Sequence, residues 1–248
     1  MKILALDLGK INSVACLYDT GGAKELFATV RTTPFAMLNL VEKHRPDRVV
    51  LEVGTPAGWV HDLCLRQGYQ VQVANPNHEG WRWRNVKRKT DRLDALKLAK
   101  LSAVNQLPTV HMPAASVREH RALIHYRAQL VGRRTRIKNT IRSLLCRQGL
   151  AMPPGAGAWR LKHLELLRQQ SRPWEEANGD DLWRGELGEE LIALEGVQQQ
   201  LKRVEDKLDS LARSDKRISR VETIPCVGPR TAELLVAVID DPHRFRRG

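Results

Sequence analysis

The chain has 248 residues, enough for one large domain or two modest ones with real cores. Lys and Arg number 41 against 28 Asp and Glu, a net charge of +13 and an isoelectric point near 10.0. That balance favours a polyanionic partner, most often nucleic acid. No apolar run approaches the roughly 18 residues of a membrane span, and Met1-Lys2-Ile3-Leu4-Ala5-Leu6-Asp7 reaches an acid too early for a signal peptide. We therefore expect no membrane partner and a cytoplasmic location.

In chain order, Lys2 to Leu8 reads as a buried strand carrying Asp7, Ser13 to Tyr18 as a second, and Leu26 to Arg31 as a third beyond the Thr20-Gly21-Gly22 turn. Short turns between them predict an antiparallel meander. Phe35 to Lys43 reads as a helix, Arg48 to Val53 as a buried strand bearing Glu52, Ala57 to Gln67 as a helix, and Tyr69 to Ala74 as a fifth strand. Strands alternating with helices predict parallel pairing, and ligands of such sheets sit beyond the carboxyl ends of the strands. Asp7 and Glu52 both fall near that edge.

Thr90 can cap a helix running to Leu101, which puts Asp91 and Asp94 on one face of its first turns. Taken alone, such acids merely suit a helix dipole. Converging with Asp7 and Glu52, they would repel one another unless divalent ions sat between them. Oxygen ligands favour magnesium or manganese over zinc, and two such ions are the usual clamp of phosphodiester chemistry. Arg82, Arg84, Lys87, Arg88 and Lys89, just upstream, predict an adjoining phosphate-binding surface. The cysteines at 16, 64, 146 and 226 form no metal-binding pair and are expected to be reduced thiols.

Leu107 to Ala114, with Pro108 and Pro113, reads as a linker. Ser116 to Gln148 is a long helix with Leu123, Leu130, Ile137 and Leu144 at seven-residue spacing. Its Arg133, Arg134, Lys138 and Arg142 are candidate nucleic-acid contacts, or else a solvated face. After Pro153-Pro154-Gly155, Trp159 to Gln170 reads as helix and Ser171 to Asp181 as loop. Glu186 to Arg213 is a second long helix whose Leu194, Val197, Leu201, Val204, Leu208 and Leu211 form a coiled-coil-like seam. That seam fits packing within the chain or between two copies. Near the end, Ile224-Pro225-Cys226-Val227-Gly228-Pro229-Arg230 leads into a helix to Ile239. It is similar to the hairpin of helix-hairpin-helix modules, in which helix N-terminal amides hold a phosphate; Gly228 and Arg230 are the candidate contacts. Cys226 stands where that hairpin usually has a glycine.

Leu6-Asp7-Leu8-Gly9, Leu51-Glu52, Asn75-Pro76 and Lys89-Thr90-Asp91-Arg92-Leu93-Asp94-Ala95, in this order, resemble the transposases of the IS110/IS1111 insertion sequences. The stretch from Ile224 to Ala232 resembles the start of that family's second conserved domain. The resemblance implies an α/β, RuvC-like (ribonuclease H-like) catalytic domain over 1–106, a helical coiled-coil region over 107–215, and the incomplete start of a C-terminal transposase domain over 216–248. It implies a DNA recombinase with Asp7, Glu52, Asp91 and Asp94 as catalytic, metal-holding acids, and magnesium or manganese as cofactor. It implies DNA as substrate, a homo-oligomer (dimer or tetramer) and, for some members, a structured non-coding guide RNA, in a bacterial cytoplasm. The family's serine nucleophile lies further along its C-terminal domain; no serine here matches it, so strand exchange by this chain alone is not expected. Two other readings use the same residues. One is a non-catalytic, nucleic-acid-binding remnant of a transposase. The other is an actin- or Hsp70-like ATPase, whose first phosphate loop Asp7-Leu8-Gly9-Lys10 resembles but whose second loop has no counterpart.

Overall fold

The computed structural model describes residues 1–75, 77–78 and 90–245, which form two compact units, Met1–Ala115 and Ser116–His243. The first is built on five strands: β1 (Lys2–Asp7), β2 (Asn12–Asp19), β3 (Lys24–Arg31), β4 (Arg48–Glu52) and β5 (Gln70–Ala74). Their order is β3-β2-β1-β4-β5, with β1, β2 and β3 antiparallel and β1, β4 and β5 parallel. This is the ribonuclease H-like arrangement that the resemblance implies.

Two-residue alternation along each strand divides the core between the two faces of the sheet. Leu4, Leu6, Val49 and Leu51 pack against α1 (Pro34–His44) and α2 (Ala57–Arg66). Ile3, Ala5, Cys16 and Val50 pack on the other face against Ala95, Leu98 and Ala99 of α3 (Asp91–Ala103). Burial pushes the thiols of Cys16 and Cys64 up to about 11, so both stay protonated and inert at neutral pH. The 107–114 stretch, expected to be a linker, instead runs along β5: Pro108 O accepts from Asn75 N, and Val110 N donates to Val73 O. Prolines suit this role, since an edge segment needs fewer donors, and the segment covers an otherwise open sheet edge.

The second unit is helical: α4 (Ala115–Arg147), α5 (Leu161–Gln170), α6 (Leu182–Ser214), α7 (Lys216–Glu222) and α8 (Pro229–Ile239). The seam of α6 is buried within the chain. Val197 and Leu201 meet Leu130, while Leu187, Leu191 and Leu194 meet Ile141, Leu144 and Leu145 of α4. α6 starts four residues earlier than its leucine pattern suggests, because Gly185 sits under the ring of Trp174, whose atoms would lie 2.5–2.9 Å from an added Cβ. α7 is short and capped by Asp215, whose carboxylate accepts from Arg217 N at 2.9 Å.

Candidate active site

The sheet places Asp7 and Glu52 side by side. β1 and β4 pair in parallel up to Leu6 and Leu51, so the next residue on each strand occupies the same rung. Neighbouring strands lie about 4.8 Å apart. Both acids follow the alternation of Ile3, Ala5 and Val50, which puts them on the face covered by α3.

α3 runs antiparallel to these strands, and its far end is pinned. Arg48, the first residue of β4, donates from Nη1 to the carbonyl and the hydroxyl of Ser102, each at 3.1 Å. Ser102 is fully buried and donates to Gln72 at 2.7 Å, while Lys100 pairs with Glu25 at 2.9 Å. Asp94 precedes Ser102 by about 12 Å of helix, at 1.5 Å per residue. Glu52 follows Arg48 by about 13 Å of strand, at 3.3 Å per residue. From this anchor the helix and the strand thus run similar lengths to their acids.

Thr90 caps α3 as expected, its hydroxyl accepting from Leu93 N at 3.4 Å. Asp94 is only 7% exposed, on the sheet-facing side, and Asp91, one turn before it, is exposed. Asp7, Glu52 and Asp94 each already take part in an interaction, so none is a free carboxylate. The donor set is all oxygen, which in chemistry suits a hard divalent cation. Its side chains are not gathered round one point: among the described residues no three His, Cys, Asp or Glu could together hold a metal ion.

The basic candidates divide. Arg82, Arg84, Lys87, Arg88 and Lys89 lie outside the described residues. Arg133, Arg134, Lys138 and Arg142 all stand on α4, exposed or half-buried. Arg230 is turned inward: it pairs with Asp209 at 2.6 Å and with Glu233 at 3.1 Å, and Glu233, 1% exposed, also meets His120 at 2.9 Å. Its guanidinium joins α6 to α8. Gly228 is the N-cap of α8, with Pro229 in the first turn, and Cys226 adopts the left-handed φ of +66° where the resembling hairpins carry glycine. Sequence reasoning missed Glu233 and His120; a lone acid between Ala232 and the apolar run Leu234-Leu235-Val236 was the signal available.

Among the described residues no helix is long and apolar enough to cross a membrane. Residues 4–148 match the family model of the IS110 DEDD transposases, described as "Transposase". The transposase for insertion sequence element IS1111A of Coxiella burnetii is 27% identical over 248 residues, covering 100% of this chain and 65% of its own length. A Sinorhizobium fredii protein named as a transposase, y4pF/y4sB, is 26% identical over 254 residues, covering 100% of this chain and 62% of that protein. This chain thus spans less than two thirds of the length of these curated relatives. Among solved structures, T. thermophilus RuvC in complex with Holliday junction substrate is similar to 44% of this chain and 100% of its own, at 13% identity and a TM-score of 0.32. With its ordered acids, its sheet and a match across more than half its length, the chain belongs to the IS110/IS1111 family of transposases.

Proposed function

We propose that the chain is the catalytic portion of a DNA transposase that cuts and transfers phosphodiester bonds with divalent metal, magnesium or manganese. One observation carries this reading: the parallel pairing of β1 and β4 sets Asp7 beside Glu52 at the carboxyl edge of the sheet, on the face that α3 covers. Asp94 of α3 and Asp91, a turn before it, complete the set. These four acids would hold the metal. Bound there, it would polarise the scissile phosphate and activate the attacking oxygen. The chain's own part is to fix the carboxylates on rigid elements: Asp7 and Glu52 by strand register, Asp94 by the Arg48–Ser102 anchor of α3. The family resemblance further supports DNA as substrate, a structured guide RNA and a homo-oligomer as partners, and a role for 1–106 as catalytic domain, 107–215 as helical spacer and 216–248 as the start of the next domain.

A second reading, nucleic-acid binding without cleavage, draws on the observation that the acids are not gathered round one point. Two measurements on the 248-residue chain separate the readings. Manganese binding is measured directly by calorimetry, and nicking of supercoiled DNA is followed on denaturing gels with and without metal. We expect Asp7→Asn and Glu52→Gln each to abolish tight manganese binding and to lower nicking by about 100-fold or more, the scale of losing one preorganised electrostatic group. No serine-linked protein–DNA adduct should form. A wild-type chain that neither binds manganese nor nicks DNA, or variants that nick like wild type, would overturn the proposal.

A further inference from the structure

Several arginines of the helical unit join helices. Arg127 meets Glu205 at 2.7 Å, Arg147 meets Glu186 at 2.8 Å and Arg168 meets Glu195 at 3.4 Å. Arg134, Lys138 and Arg142 differ. They succeed one another every four residues on α4, one per turn, in steps of about 6 Å. Among the described residues none of the three has a carboxylate within ion-pair distance.

What holds two of them is an aromatic ring. Trp159 ends the short turn Gly155–Trp159 and packs its lower side on the core of α4, α5 and α6. Lys138 Nζ lies 4.8 Å from the ring centroid and the Arg142 guanidinium 5.5 Å from it. Arg142 also donates to Gly155 O at 3.2 Å. Burial, then Arg134 and Arg142, push the Lys138 ammonium below its ordinary pKa. The ring attracts a cation, by about 0.5–1 kcal/mol at exposed sites, yet a face that serves only solubility has no need to dehydrate cations in part or to crowd them against like charges. The arrangement is costly without an anion and favourable with one. A single free phosphate would engage one or two of these groups, whereas three in line over about 12 Å of straight helix suit successive phosphates of one strand.

We propose that Arg134 together with Lys138 and Arg142, the latter two set on Trp159, forms a backbone clamp for a DNA duplex on the helical unit. The choice of DNA rests on the transposase reading; the clamp itself rests on the geometry. It contacts phosphates and reads no bases.

The test is binding of the full chain to a short random-sequence DNA duplex in EDTA, so that a failed cleavage reading leaves it untouched. Each duplex phosphate contact contributes about 0.9 to the slope of log K against log salt. Lys138→Gln with Arg142→Gln should therefore lower that slope by about 1.8. Arg147→Gln with Arg168→Gln removes the same charge from paired arginines and should leave the slope unchanged. Trp159→Phe keeps every charge and should weaken binding severalfold at fixed salt. Should the Lys138/Arg142 variant melt early, Arg134→Gln alone should still lower the slope by about 0.9. Equal slopes for the two double variants would reduce the effect to bulk charge and overturn the clamp. A slope change seen with an RNA duplex and not with DNA would overturn the assignment to DNA.

Discussion

The two units use their acids differently. In the sheet unit, Asp7 and Glu52 owe their positions to backbone register: each is the residue after the last paired rung of two parallel strands. In the helical unit the acids are positioned by arginines, as in Glu205 with Arg127, Glu186 with Arg147, and Asp209 and Glu233 with Arg230. A carboxylate's sequence neighbours say little about which case applies. What decides is whether main-chain geometry or a guanidinium fixes it. Acids at strand ends owe their place to the main chain, whereas acids paired with arginine tie helices together. The same division marks the cations: those paired with acids hold helices together, and those set on Trp159 do not.

The largest effect should come from breaking the helical unit where it needs no charge at all. Leu201 is 3% exposed, between Leu130 and Val197. Leu201→Asp removes its packing and puts a carboxylate among Leu130 and Val197, a loss of about 4 kcal/mol or more in denaturant unfolding. Because α6 packs on α4 of its own chain, the thermal midpoint should fall. A variant with an unchanged midpoint but a reduced sedimentation mass would move this seam to an interface between copies.

A smaller effect is expected at Arg230, where the comparison can be sharpened. Arg230→Ala leaves the buried Glu233 with His120 as its remaining partner, and breaking a buried pair costs about 3 kcal/mol. Nucleic-acid binding should keep its salt dependence. The reverse result, intact stability with a slope lowered by about one, would return Arg230 to the phosphate-contact role that the hairpin resemblance suggests.

How much of this was legible depends on how local each cause is. The five strands and their mixed pairing follow from short apolar runs, and Asp7 and Glu52 stand out because they end two of them. Thr90 as a cap is likewise local. The anchoring of α3 is not, since it depends on Arg48 reaching Ser102, 54 residues away in sequence. Nor is the start of α6: Gly185 reads as a helix breaker until Trp174 lies across it. Segment 107–114 looked like a linker because its prolines break helices, yet prolines are tolerated along a sheet edge. α7 has too few apolar residues for a periodic signal, although Asp215 at its cap was a usable mark. Arg230 looked like a phosphate ligand because its acids come from elsewhere, Asp209 on α6 and Glu233 one turn on.

The smallest expected effect is a gain. Cys226 lies between α7 and α8 with φ at +66°, a conformation that crowds Cβ against the backbone of any L-residue other than glycine. The following turn is well formed: Val227 N donates to Ile224 O at 3.1 Å, and Gly228 O accepts from both Thr231 N and Ala232 N at 3.0 Å. The hairpin therefore takes the shape usual for a glycine there, without the glycine. The thiol is exposed, so little packing is lost on removing it. Glycine loses more chain entropy on folding than cysteine does, which offsets part of the relief. On balance Cys226→Gly should stabilise the helical unit by about 0.5–1 kcal/mol, read as a higher urea midpoint at unchanged m-value. Cys226→Ala serves as the control, because it removes the thiol and keeps the crowded Cβ; it should leave the midpoint where it is. If alanine stabilised as much as glycine, the strain would lie in the sulfur's surroundings and not in the backbone, and the turn would owe nothing to the glycine pattern that it resembles.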